Sequence, residues 1–167
     1  MTITRAFTDH DETTRPVLAG ARARWGAIPK PLARLAESPP ALAAANAALE
    51  AFEHTRLAPL EKEVVAMTVA REHGCRFCLG LHTTLLAHFP DGAALARTLA
   101  AGARLDDPRL AALQAFIERS LATRGDLDAA TWDAFLAAGF TRADALDVMV
   151  GIGAYTLTTF ANRLTQA

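Results

Sequence analysis

Cysteine is scarce in this chain: 167 residues carry two, beside one tyrosine and two tryptophans. A disulfide-stapled scaffold is thereby excluded, because such folds need several bridges to replace a core. Excess charge is absent too, since 17 Lys and Arg face 18 Asp and Glu for a formal charge of −1. With no basic stripe interleaved with aromatics, a nucleic-acid partner is not expected. Long apolar runs are missing. The longest, Val148 to Phe160, is interrupted by Thr156, Thr158 and Thr159 and is too short to cross a bilayer. No membrane association is expected. The first ten residues lack the apolar core of a secretion signal, so the expectation is a soluble cytoplasmic protein.

Strand alternation is the last absence. No window sustains a period of two, whereas apolar residues recur at helical spacing along most of the chain. Proline and glycine fall almost entirely between these segments. The pattern predicts helices over Val17 to Trp25, Leu32 to Ala36, Ala41 to Thr55 and Pro59 to Glu72. It continues with helices over Cys75 to His88, Ala93 to Ala101, Pro108 to about Gly125 and Ala129 to Ala138. A last helix follows Thr141, which with Asp144 makes an approximate capping box, and runs to about Leu164. The expectation is an all-α, single-domain helical bundle. Residues 1–24 form an arm and short helix, and residues 25–165 the helical domain.

The chemistry of the chain is concentrated in Gly74-Cys75-Arg76-Phe77-Cys78-Leu79-Gly80-Leu81-His82. On a helix, Cys75, Cys78 and His82 project within an arc of about 60°. An i, i+3 pair has its Cα atoms about 5 to 6 Å apart, within reach of a disulfide. A thiol with an ordinary pKa near 8.5 is only about 3% thiolate at pH 7 and needs assistance to act as a nucleophile. The helix start after Gly74 offers it to Cys75 through unpaired N–H groups. His82, one turn beyond Cys78, offers it to Cys78 as a base. A dipole contributes about 1 to 2 kcal/mol, and a positioned base about 10²- to 10⁴-fold, which favours Cys78 as the attacking sulphur.

His82 needs an orienting partner. If helices 60–72 and 75–88 fold back on each other, Glu63 and His82 differ in height by about 3 Å. Glu63 shares a stripe with Leu60, Met67 and Ala70, so its carboxylate calls for a partner. The other reading makes Glu63 a first-turn acid answering the helix dipole, as Glu61 does. Spacing alone leaves these two even. Other readings attach to the same residues. Two inert buried cysteines beside a core histidine is one. A zinc site of His73, Cys75, Cys78 and His82 is another, with three ligands crowded on one short helix and poorly placed for a tetrahedron. Thioredoxin-type chemistry would need a βαβ context, which the sequence lacks. Of the residues between the cysteines, Arg76 is expected in solvent and Phe77 packed. His10, His54 and His88 are expected at the surface. A shift of 84 residues lays Asp147 on Glu63, Thr159 on Cys75 and Asn162 on Cys78. A worn duplication and chance similarity of two apolar helices explain this equally well.

Glu63, Cys75, Cys78 and His82 in this spacing resemble the Glu…Cys-x-x-Cys-x-x-x-His signature of the alkyl hydroperoxidase D-like proteins in the carboxymuconolactone decarboxylase superfamily. Trp25-Gly26-Ala27-Ile28-Pro29, Ala36-Glu37-Ser38-Pro39, Glu61-Lys62-Glu63-Val64-Val65 and Ala161-Asn162-Arg163 agree with it, so the resemblance spans Trp25 to Leu164. It implies an all-helical fold assembled as a trimer or hexamer, and a cofactor-free thiol peroxidase acting on a hydroperoxide. Cys78 would attack, Cys75 would resolve, Glu63 and His82 would relay the proton, and an external dithiol would supply electrons. No metal or other cofactor is expected. The best-studied members carry a histidine just before the second cysteine, and Phe77 removes that auxiliary proton handler here. The decarboxylase branch lacks the cysteine pair, so lactone decarboxylation is not expected. The alternatives are a dithiol–disulfide reductase with weak peroxidase activity and a Cys/His metal-binding or redox-sensing module.

Overall fold

A computed structural model describes Glu12 and residues 14–166 of the chain. Among the described residues there are nine helices and no strand: α1 Thr14–Trp25, α2 Lys30–Leu35, α3 Pro39–Glu53, α4 Pro59–Glu72, α5 Arg76–Leu86, α6 Gly92–Ala101, α7 Pro108–Thr123, α8 Ala129–Ala137 and α9 Arg142–Leu164. The expected all-α bundle is present. The starts are set by local chemistry. Ser38, Asp107, Asp128 and Thr141 each accept an N–H of the first turn, and Thr141 with Asp144 completes the expected capping box. α1 begins ahead of Pro16 rather than after it. The expected polar arm and His10 lie outside the described residues.

α4 is the central element, packed by α5, α6, α7 and α9. Val64 through Ala70 are all buried, the pattern of a helix enclosed on every side. Phe52 from α3, Phe116 and Ile117 from α7, Phe135 from α8 and Val148 and Tyr155 from α9 complete the main core. Phe135 stacks between Phe116 and Phe140, at 4.1 and 4.5 Å between ring centroids. A smaller cluster ties Leu18 of α1 to Leu35, Leu42 and Ala45.

α9 lies against both α3 and α4. Its close approach depends on Gly151, where a Cβ would stand 2.5 Å from the Phe52 ring and 2.8 Å from Val65. The helix is unbroken through residues 156–158, where a second copy of the α4–turn–α5 unit would have to turn. The internal echo is therefore not repeated in the backbone. Of its aligned pairs, Asn162 and Cys78 nevertheless meet across the end of α9 and the start of α5.

Candidate active site

The site is built around the turn joining α4 to α5. Gly74 takes φ +63°, a left-handed conformation that glycine adopts without steric cost. Its N–H reaches the Arg71 carbonyl at 2.9 Å, and the Cys75 N–H reaches the Ala70 carbonyl at 2.8 Å. Paired bonds of this kind close a helix in a Schellman motif. The chain then reverses at once: Cys75 is the N-cap of α5, and its sulphur accepts the Cys78 N–H at 3.4 Å. One residue thus closes α4 with its amide and opens α5 with its thiol. The cysteine helix accordingly starts at Arg76 rather than Cys75, and ends at Leu86, short of the expected His88.

Both cysteines are free thiols, 2% and 6% exposed at Cys75 and Cys78, with the sulphurs 2.6 Å apart. Ala70 and Leu79 pack around them. Burial holds the Cys78 thiol well up, to about 12. The hydrogen bond and the charge shared with Cys75 push in the same direction, against an N–H from Asn162. The low-dielectric surroundings oppose a resting thiolate at Cys78.

The antiparallel α4–α5 pair brings Glu63 and His82 together, with His82 Nδ1 2.8 Å from Glu63 Oε2. An ionised carboxylate only accepts, so this contact places the hydrogen on Nδ1 and leaves Nε2 the basic nitrogen. His82 is buried on the Cys78 face of α5. The helix-start role belongs to Glu61, which accepts the Ala58 N–H at 2.8 Å and the Arg109 Nε–H at 2.7 Å. The two readings of Glu63 are separated by this division of labour.

His73 does not join the thiols. Its Nδ1 is 2.8 Å from Thr159 Oγ1 and its ring lies against Phe160. The Thr159 hydroxyl donates to the Tyr155 carbonyl, so it accepts from His73. Burial lowers the His73 pKa, favouring the neutral ring. Among the described residues no cluster of three or more His, Cys, Asp or Glu side chains is arranged to hold a metal ion. Phe77 departs from expectation: it is 40% exposed, on the outer face of α5 with Leu81 and Leu85. Its neighbours face solvent, so no core is available there to receive the ring. His54 and His88 are exposed, each with Nδ1 on a carbonyl in the last turn of the helix that precedes it.

Two side chains that sequence reading did not place in the site come from α9. Asn162 Nδ2 lies 3.3 Å from the Cys78 sulphur and 3.9 Å from that of Cys75. The Tyr155 ring stands edge-on to His82 at 5.2 Å. Burial, with the Glu63 charge next, holds the Tyr155 phenol in its protonated form. A signal for both was available. Tyr155, Thr159 and Asn162 continue the buried stripe of α9, and polar groups on such a stripe need partners.

No protein-family model matches the chain, and no curated protein matches it. Solved structures do. An uncharacterized peroxidase-related protein from Silicibacter sp. TM1040 is 19% identical and superposes with a TM-score of 0.74, over 94% of this chain and 86% of its own. The alkylhydroperoxidase AhpD core of an uncharacterized peroxidase-related protein from Ralstonia eutropha JMP134 is 18% identical, with a TM-score of 0.76 over 92% of this chain and 83% of its own. The chain has the alkylhydroperoxidase D-like fold.

Proposed function

We propose that this protein is a cofactor-independent thiol peroxidase that reduces a hydroperoxide through Cys75 and Cys78. The observation that carries the reading is one buried cluster: two sulphurs 2.6 Å apart beside a His82–Glu63 pair joined at 2.8 Å. The peroxidase-related fold neighbours support the same class of chemistry.

In the first step the Cys78 sulphur attacks one peroxide oxygen and the O–O bond breaks. Cys78 becomes a sulfenic acid, and the alcohol leaves with the proton that the thiol gave up. Burial and Cys75 both hold that proton on Cys78, so a base in the cluster is a requirement of the step. His82 takes it at Nε2 while Glu63 steadies the imidazolium, then returns it to the departing oxygen. In the second step the Cys75 sulphur displaces water from the sulfenic acid and closes the disulfide. An external dithiol then reduces the bridge by exchange and is itself oxidised to a disulfide. Cys78 is the attacker because it is the nearer of the two to His82 along the chain, one turn away on α5, and the less buried residue. A dithiol working this way belongs in a reducing compartment, and a cytoplasmic location is part of the proposal. Among the described residues no helix is long and apolar enough to cross a membrane.

The test is peroxide consumption by purified protein with a panel of dithiol donors, using hydrogen peroxide and an organic hydroperoxide. Turnover that disappears in Cys78→Ser is expected. Disulfide exchange with the donors but no peroxide consumption would point instead to a dithiol–disulfide reductase.

A further inference from the structure

We infer that Asn162 is a catalytic residue of the dithiol site, its side-chain N–H carrying the negative charge that develops on the Cys78 sulphur; the inference rests on the peroxidase reading above. Asn162 is 6% exposed. Among the described residues its amide hydrogens meet only the two sulphurs, at 3.3 and 3.9 Å. Burying an amide costs free energy unless it is hydrogen-bonded, and a neutral thiol is a weak acceptor. A thiolate is a strong one, so the contact gains strength as the thiol ionises. An interaction that strengthens toward the transition state is the kind that accelerates a reaction.

The geometry also assigns the charge to one sulphur. Cys75 has its own donor, the Cys78 N–H at the start of α5, at 3.4 Å. Cys78 has the shorter of the two Asn162 contacts. The other titratable groups around Cys78 are Cys75 on its own helix boundary, His82 on α5, Glu63 on α4 and Tyr155 on α9. None of these donates a hydrogen bond from a permanently neutral group, so Asn162 stabilises the thiolate at every pH.

The donor is held from both sides. One turn before it, Thr159 takes a hydrogen bond from His73. Immediately after it, the Arg163 guanidinium donates to the His73 carbonyl. Both contacts fasten the end of α9 to the α4–α5 turn, which is the segment that positions the cysteines. An amide whose placement is set before reaction costs no reorganisation when charge appears.

The experiment uses full-length Cys75→Ser protein, in which oxidation stops at Cys78, with and without a second change at Asn162. Asn162→Leu keeps the branched four-atom outline and removes the donor; Asn162→Asp keeps shape and replaces the donor with an acceptor. Both should slow single-turnover oxidation of Cys78 by hydrogen peroxide about tenfold or more, with Asn162→Asp the slower at pH 8. Thermal melts identify any variant that fails to fold, and the remaining variant then decides. A second readout needs no peroxide: the pH profile of Cys78 alkylation by iodoacetamide should shift to higher pH in both variants. An unshifted profile with wild-type oxidation rates would overturn the role of Asn162. If the Cys75→Ser parent itself does not react with peroxide, the peroxidase reading fails, and the alkylation profile alone then upholds or overturns Asn162 as the thiolate donor.

Discussion

In the proposed mechanism Cys78 faces two opposing demands, since burial keeps its proton on while nucleophilic attack needs it off. With the thiol held up to about 12, the unassisted thiolate at pH 7 is about one part in 10⁵. Its population grows about tenfold for each pH unit. His82→Ala should therefore leave a peroxide oxidation rate that climbs about tenfold per pH unit. With His82 as the proposed base, the wild type should show a flatter profile, and the gap should narrow as pH rises. Stopped-flow oxidation across a neutral to alkaline series checks this; parallel profiles would remove His82 from the proton path. The same shift has a stability consequence. Folding raises the Cys78 pKa, so the unfolded chain ionises first as pH rises, near 9. The contribution is intact below that value and is lost progressively up to about 12. Reduced wild type should thus lose more melting temperature between neutral and alkaline pH than Cys78→Ala does. Trapping separates the two sulphurs. Dimedone should label Cys78 in Cys75→Ser after one peroxide turnover, and Cys78→Ser should give no fast-forming adduct.

At the scale of elements, α9 decides both packing and chemistry. Its inner stripe of Ala145, Val148, Gly151, Ala154 and Tyr155 docks on the core, then gives way to Thr159 and Asn162 over the cysteines. Gly151 sets the depth of that docking, because Phe52 and Val65 are fully buried and cannot retreat into solvent. Gly151→Ala gains about 1 kcal/mol of helix propensity. It meets contacts of 2.5 and 2.8 Å, and overpacking at such a site costs about 1 to 3 kcal/mol. A lower melting temperature is expected. Gly80→Ala is the control, since nothing stands within 4 Å of a Cβ there and the site is exposed. It should stabilise by about 0.5 to 1 kcal/mol. If both substitutions raise the melting temperature, α9 is not seated against Phe52 as described.

For the whole molecule, the outer face of α9 is the feature a lone chain does not explain. Leu146, Val150, Leu157, Phe160 and Leu164 are all exposed, with Leu146 at 69% and Phe160 at 56%. Their intervals of four, seven, three and four residues follow the 3.5-residue period of a helix–helix seam, with Gly153 at the skipped position. Phe77, Leu81 and Leu85 add a second exposed row on α5. We propose that these rows are buried against further copies of the chain, in a trimer or a hexamer. Light scattering should then give a multiple of the 17.8 kDa chain mass. Leu157→Glu combined with Phe160→Glu should lower it toward one chain. A wild-type monomer at micromolar concentration would sink the assembly.

What the sequence determined by itself is local. Helical periodicity, proline and glycine at the joints, and capping residues one turn from their partners all act within a few residues, so the helices are legible in the order of residues alone, with ends that shift by one to three residues. The antiparallel course of α4 and α5 is legible as well, because a single glycine turn leaves two helices little choice but to run back along each other. Whether Glu63 meets His82 or answers the helix dipole, as Glu61 does, was even on spacing and was decided by the fold. Tertiary structure decided what depends on distant segments. Asn162 reaches Cys78 from 84 positions away, and no local rule says which helix covers a turn. The exposure of Phe77 and the turning of His73 toward Thr159 were decided there too, since a side chain's surroundings are set by whichever elements pack beside it. The ionisation of Cys78 follows the same logic: cysteine identity supplies the thiol, but burial by α4 and α9 determines how tightly it holds its proton.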